Sequence, residues 1–161
     1  VVDDAPVTVT NHLDVETTYR AESAKLWRAV FAFAGDRAIA DDAVAEAFAQ
    51  ALRREKSIRS LRPWVWRAAF RIAAGELKDA RLRTGWTDGS FTEHPEDSID
   101  LLRALAGLSP KQRASILLFH YGGLSVKEAA AAIGSTPGAT RVHLSLGRRR
   151  LRVLMEGDDD A

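Results

Sequence analysis

The sequence predicts an all-α protein: two small helical domains joined by an acidic flexible linker, the second domain carrying a helix-turn-helix. Three observations predict it. Apolar residues recur at i, i+3, i+4 over nearly the whole chain, the spacing of one buried stripe on a helix. The one long aperiodic stretch, TGWTDGSFTEHPEDSID from Thr84 to Asp100, is built from Gly, Pro, Ser, Thr and five acids, the composition of a linker. Charge is also sorted by segment although the whole 161-residue chain carries a net charge of only +1.

Taken in order, residues 1–16 read as an acidic N-terminal tail; the acids of the first 22 residues, Asp3, Asp4, Asp14, Glu16 and Glu22, face only Arg20. Glu16 to Ala34 reads as a first helix through Leu26, Val30, Phe31 and Phe33, stopped by Gly35. Asp36 can cap a second helix whose stripe is Val44, Ala47, Phe48, Ala51 and Leu52. Ser60 and Pro63 open a third helix near Trp64, running to about Arg83, with a wide apolar face from Val65 and Trp66 to Leu77. On that helix Arg67, Arg71, Lys78 and Arg81 fall within roughly 80° of one another. From Arg53 to Arg83 ten bases face three acids. The first domain therefore spans 17–83 and is basic, and 84–99 is the linker.

The second domain, 100–155, has three further start signals. Asp100 can cap a short helix through Leu101, Leu102 and Leu105. Ser109, Pro110 and Gln112 form a capping box, and Ser125 with Glu128 repeats it. Thr136 and Pro137 open the last helix after a turn at Gly134. Residues 156–161 read as an acidic tail. Between Ala129 and Met155 there are five arginines and no acid.

Composition excludes much. No cysteine removes disulfides, thiolate nucleophiles and cysteine-based zinc sites, and suits a reducing cytoplasm. No apolar run approaches the roughly 18 residues of a membrane span, and nothing near Val1 resembles a signal sequence, so membrane insertion is not expected. The four histidines, His12, His94, His120 and His143, are scattered, with no HExxH, nucleophile motif or Gly-rich phosphate loop. No enzyme, no metal and no small-molecule cofactor are expected.

The last helix gathers Leu144, Gly147, Leu151 and Leu154 on a core side, while Arg141, Ser145, Arg148 and Arg152 lie within roughly 60° of one another on a different side. Such a helix, entered through a tight turn, is the second helix of a helix-turn-helix, which lies in the major groove of DNA. A merely solvated amphipathic helix would normally interleave acids on that face. Val142, Leu146 and Val153 form a second apolar face within roughly 40°. It would meet thymine methyls, the first domain in an inhibited state, or another protein.

The stretches GDRAIADDAVAEAFAQALRR, RPWVWRAAFRIAAGELKDARLR and LAGLSPKQRASILLFHYGGLSVKEAAAAIGSTPGATRVHLSLGRRRLR, in that order and spacing, resemble bacterial RNA polymerase sigma factors of the extracytoplasmic-function (ECF) class. The resemblance covers about Thr17 to Leu154. It implies a transcription initiation factor that binds core RNA polymerase, directs it to promoters and helps open the DNA. Residues 17–83 would correspond to sigma region 2 and residues 100–155 to region 4. It further implies that Asp41, Asp42 and Glu46 dock on a coiled coil of the polymerase's largest subunit, with the flap as a second contact. Arg59, Arg62, Trp64, Arg67 and Arg71 would handle the minus-ten element as single-stranded DNA, beside a variable loop at Lys56 to Arg62 that borders a pocket for a flipped base. Arg141, Val142, His143, Ser145, Leu146, Arg148 and Arg149 would read the minus-thirty-five element as duplex. Arg71 and Gly75 stand where the family often has Asn and Asp, and Val142 and Leu146 where it often has Ser and Arg. An anti-sigma protein is a possible partner, and the expected location is cytoplasmic, at the nucleoid. The other readings are a free-standing helix-turn-helix regulator, and a helical interaction protein that no longer binds promoters.

Overall fold

The structure, a computed structural model, describes the backbone of residues 7–84 and 96–159, and side chains within 14–83 and 99–157. Helix α1 (Val7–Ala34) is the longest described helix and packs on the two long helices that follow it and on the first elements of the second half. Its end is set by Gly35, which adopts φ 69° and whose N–H donates to the Phe31 carbonyl at 2.7 Å. That left-handed geometry is open to glycine at no steric cost. Asp36 then accepts from the N–H groups of Ala38 (2.8 Å) and Ile39 (3.2 Å), capping α2 (Arg37–Arg53).

Helix α2 buries Ile39, Ala40, Ala43, Val44, Ala47, Phe48 and Ala51. Four of these are alanines, so α2 lies close against α1 and α3. A 3-10 turn, Glu55–Ser57, leads to α3 (Leu61–Thr84), which starts three residues before the Trp64 expected from sequence. Pro63 falls within the first turn, where its missing N–H costs no intrahelical bond. Trp66 and Phe70 of α3 are buried with Leu26 and Val30 of α1, and Trp66 Nε1 donates to Glu22 Oε2 at 3.0 Å.

In the second half, α4 (Glu96–Ala106) is followed by α5 (Pro110–Ile116), which continues into a π-helical turn at Leu117–Tyr121. Helices α6 (Val126–Ile133) and α7 (Pro137–Asp159) complete the fold. Both capping boxes form: Gln112 N–H donates to Ser109 Oγ at 3.2 Å and Glu128 N–H to Ser125 Oγ at 3.1 Å, each answered by the reciprocal bond. Gly147 of α7 sits over Ile116, where a β-carbon would lie 3.0 Å from Cδ1, so α7 approaches α5 closely.

Three further boundaries differ from the sequence reading. Helix α1 begins at Val7, inside the expected tail; Val15, only 3% exposed, extends the buried stripe back past Glu16. Helix α4 begins at Glu96, so Asp100 is an internal residue of that helix and not its cap. Acids suit a first helical turn as well as a loop, so composition could not choose between the two. Helix α7 runs on to Asp159, through most of the segment read as an acidic tail. Residues 85–95, most of the expected linker, lie outside the described residues.

The two halves share one core. Buried residues from Val15 to Leu77 and from Leu105 to Leu144 belong to a single apolar cluster. Arg113, 6% exposed, crosses between them: Nη1 donates to the Phe33 carbonyl at 2.7 Å, and Nε and Nη2 donate at 2.9 Å to the carbonyls of Leu105 and Leu108. The last turns of α1 and α4 have carbonyls without intrahelical partners, and one guanidinium satisfies both.

Candidate nucleic-acid interface

The α6–turn–α7 unit is built by local chemistry. Gly134 terminates α6 at φ 65°, Ser135 N–H closes back on the Ala130 carbonyl at 2.9 Å, and Thr136 Oγ1 accepts from Ala139 N–H at 3.1 Å to start α7. Leu144 and Gly147 turn into the core. Arg141, Ser145, Arg148, Arg149, Arg150 and Arg152 are exposed, and His143 is half-buried. The arginine stripe therefore faces outward in one row. Arg148 Nη1 lies 3.3 Å from His120 Nε2, which steadies it toward the π turn.

The second apolar face is equally open: Val142, Leu146 and Val153 are 55%, 44% and 57% exposed. None of the three packs on the first half, which removes that explanation for the face in this conformation. Leu146 and Val153 line a shallow groove of about 450 Å³ with Gly107, Gln112, Arg149 and Arg150, giving an apolar floor and a basic rim.

In the first half, a hollow of about 350 Å³ opens between α1, the 3-10 turn and the start of α3. Its walls are Asp14, Thr17, Thr18, Glu55, Ile58, Arg59, Leu61 and Arg62. Arg59 and Arg71 are exposed, while Trp64 and Arg67 are half-buried, Trp64 against the core cluster. Trp66 is wholly buried, as the apolar face of its helix predicts. Arg62 stands apart: its Nε donates to Glu22 Oε1 at 2.9 Å, its Nη2 donates to the Gly122 carbonyl, and its guanidinium lies 5.5 Å from the Trp66 ring centre. Expected as a free cation, it is committed within the protein. The Glu22 partner lies 40 positions away in sequence and leaves no local signal.

On the opposite flank Asp41, Asp42 and Glu46 all stand exposed on α2. Trp27 Nε1 donates to Asp41 Oδ1 at 2.7 Å. Hydrogen bonds from Gln50 and then Arg53 hold the Glu46 carboxyl below the usual range. Asp42 also borders a hollow of about 630 Å³ with Asp36, Glu76 and Asp79. Burial, then the neighbouring charges of Asp42, Asp36 and Asp79, push the Glu76 carboxyl up. Glu76 and Asp79 extend the acidic patch onto α3, an extension the sequence could not show because the two helices are separate in the chain. Among the described residues no group of three or more His, Cys, Asp or Glu could hold a metal ion, and no helix is long and apolar enough to cross a membrane.

An all-helical chain that presents an arginine-lined second helix from a capped tight turn is of the helix-turn-helix class, and comparison with known proteins narrows this. The family model described as Sigma-70, region 4 matches residues 98–151. The ECF RNA polymerase sigma factor SigC of Mycobacterium tuberculosis is 30% identical over 158 residues, covering 90% of this chain and 85% of that protein. SigL of the same organism is 30% identical over 153 residues, covering 86% of each. In fold, the chain is similar to the sigma factor RpoE from Bartonella quintana, solved in complex with the anti-sigma factor NepR: the TM-score is 0.79 at 22% identity, over 89% of this chain and 97% of that one. The chain belongs to the ECF RNA polymerase sigma factors, and so to the transcription initiation factors. The likeness runs through both halves, which sets aside a free-standing helix-turn-helix regulator.

Proposed function

We propose that this chain is a dissociable, non-catalytic subunit of bacterial RNA polymerase that supplies promoter address and strand opening while the polymerase supplies the chemistry. The observation that carries this reading is the outward row of Arg141, Ser145, Arg148 and Arg149 on a helix entered through the Gly134 turn. Residues 100–155 act as the region 4-like unit, reading the minus-thirty-five duplex: Arg141 and His143 address base edges, Val142 and Leu146 meet thymine methyls, and Arg148 and Arg149 take phosphates. Residues 17–83 act as the region 2-like unit. The hollow beside Arg59 is of a size to take one unstacked base, with Arg67 and Arg71 following the strand and Trp64 offering an edge for stacking.

Polymerase docking is assigned to Asp41, Asp42 and Glu46, whose carboxylates suit a basic partner surface on the largest subunit. The flap is assigned to the Val153 end of the groove, beside Gly107 and Gln112 and away from the turns that face DNA. An anti-sigma protein competing for these surfaces is part of the same proposal. The chain would work in the cytoplasm at the nucleoid. Transcription by core polymerase with and without this chain, on a genomic template library with start sites read out, tests the reading. New start sites sharing two spaced elements are expected; start sites unchanged by adding the chain would overturn it.

A further inference from the structure

Two of the carboxylates on the outer face of α2 are held in different ways. Glu46 Oε1 accepts from Gln50 Nε2 at 3.1 Å and from Arg53 Nη2 at 2.8 Å, so a cation of the same helix already offsets its charge. Asp41 Oδ1 accepts from Trp27 Nε1 of α1 at 2.7 Å, and the indole is a neutral donor. The charge of Asp41 is therefore kept while its direction is fixed. Trp27 is itself fixed: it is half-buried against the core cluster and stacks on Phe31, one turn along α1, with ring centres 5.3 Å apart and planes 4° apart. Among the described residues, Oδ2 of the exposed Asp41 side chain has no protein hydrogen-bond partner.

We propose that Trp27 is a positioning residue of the polymerase docking surface: it fixes Asp41 to meet a basic group of the polymerase, and leaves Asp41, ahead of Glu46, as the charge that contact uses. The inference rests on the reading of Asp41 as a polymerase contact. Ordering a free side chain on binding weakens an interface about two- to tenfold. An aspartate already held by α1 escapes most of that penalty, because the indole bond removes its rotamer freedom when the chain folds. A neutral donor suits this task. An ion pair would hold the carboxylate equally well but would offset the charge that a basic partner is to meet, which is the situation of Glu46 beside Arg53. Neutralising Asp41 therefore costs more affinity than neutralising Glu46. The pair lies 14 positions apart on two helices, so neither residue marks the other in the sequence.

The test measures affinity of the full chain for core polymerase by competition with a fluorescently labelled chain, with helix content checked by circular dichroism. Trp27→Phe keeps an aromatic ring beside Phe31 and removes the N–H; it is expected to weaken binding about fivefold, and Asp41→Ala about tenfold. In the Asp41→Ala background, Trp27→Phe is expected to change affinity by less than about twofold, because the group it positions is gone. An equal loss in both backgrounds overturns positioning and makes the ring a structural support. So does a folded Trp27→Phe chain with wild-type affinity. A larger loss from Glu46→Gln than from Asp41→Asn overturns the ranking of the two charges. Wild-type affinity in Asp41→Ala is a different failure, that of the docking reading itself. Nitrogen-15 spectra give a readout that does not require the phenylalanine variant to fold. Of the four tryptophan indole N–H resonances, one is expected to move upfield in Asp41→Ala, an exposed substitution, as a 2.7 Å bond to a carboxylate is lost. Four unmoved resonances overturn the bond and the proposal with it.

Discussion

Arg141 and Arg148 are both exposed on the same row of α7, yet the proposed function gives them different work. Arg148 lies against His120 of the π turn, at the flank of the unit, whereas Arg141 stands in the first turns of α7, which alone reach base edges. Arg141→Ala is expected to cost about 1 to 3 kcal/mol of discrimination at one guanine of the upstream element. Arg148→Ala is expected to weaken all sequences alike and to reduce the salt slope by about 1. Competition binding across single-base variants at several salt concentrations checks both; equal losses on every sequence from both mutants would contradict the assignment. Gly75, a departure from the family pattern, is exposed inside α3, and a β-carbon there meets nothing within 4 Å. Gly75→Ala should therefore stabilise the chain by about 0.5 to 1 kcal/mol, seen as a higher urea midpoint, since it removes backbone entropy without a clash. The same scale shows what sequence could reveal about single residues. Burial of Trp66 followed from its place in the apolar face, but the capture of Arg62 by Glu22 and Gly122 did not, because both partners lie 40 or more positions away.

Helix α2 is the element most fully legible in the sequence: its cap at Asp36 and its alanine-rich buried stripe follow from local pattern, except that Leu52, expected in the stripe, is 47% exposed because the last buried position of the helix is Ala51. Its outer face carries Asp42 and Glu46 one turn apart, so they present one local charge to a partner. The double reversal Asp42→Arg with Glu46→Arg is expected to weaken binding to core polymerase strongly while leaving helix content unchanged, since neither side chain enters the core. A folded double mutant with unaltered affinity in a pull-down would remove α2 from the docking surface. The elements less legible were those whose boundaries depend on partners in space. The start of α1 is secured by burial of Val15, and α4 begins inside a stretch whose composition fits a loop equally well. Capping boxes at Ser109 and Ser125 were readable because donor and acceptor lie three residues apart.

For the whole molecule, the sequence gives two basic modules and an acidic connection, whereas the fold gives one continuous core, and Arg113 is where the difference is concentrated. Nothing in SPKQRAS marks that arginine as buried, since its acceptors Phe33, Leu105 and Leu108 come from two other helix ends and the loop after α4. A shared core joined by such a bridge should unfold as one cooperative unit, with coincident urea transitions for tryptophan fluorescence, to which Trp27, Trp64 and Trp66 of the first half contribute three of the four tryptophans, and for a dye on Lys127→Cys in the second. Arg113→Met keeps the length and apolar stem of the side chain but removes every donor, leaving buried carbonyls of both halves unsatisfied. At about 1 to 3 kcal/mol for such a group, and with these groups acting together, a loss of roughly 3 kcal/mol is expected. Arg113→Lys should recover only part of it, because one ammonium cannot span carbonyls that a planar fork reaches in different directions. The informative result is the relation between the two probes. If Arg113 couples the halves, the methionine variant moves the second-half transition to lower urea than the first and the curves separate; if they shift together, the apolar cluster alone supplies the cooperativity and Arg113 serves only local helix-end satisfaction.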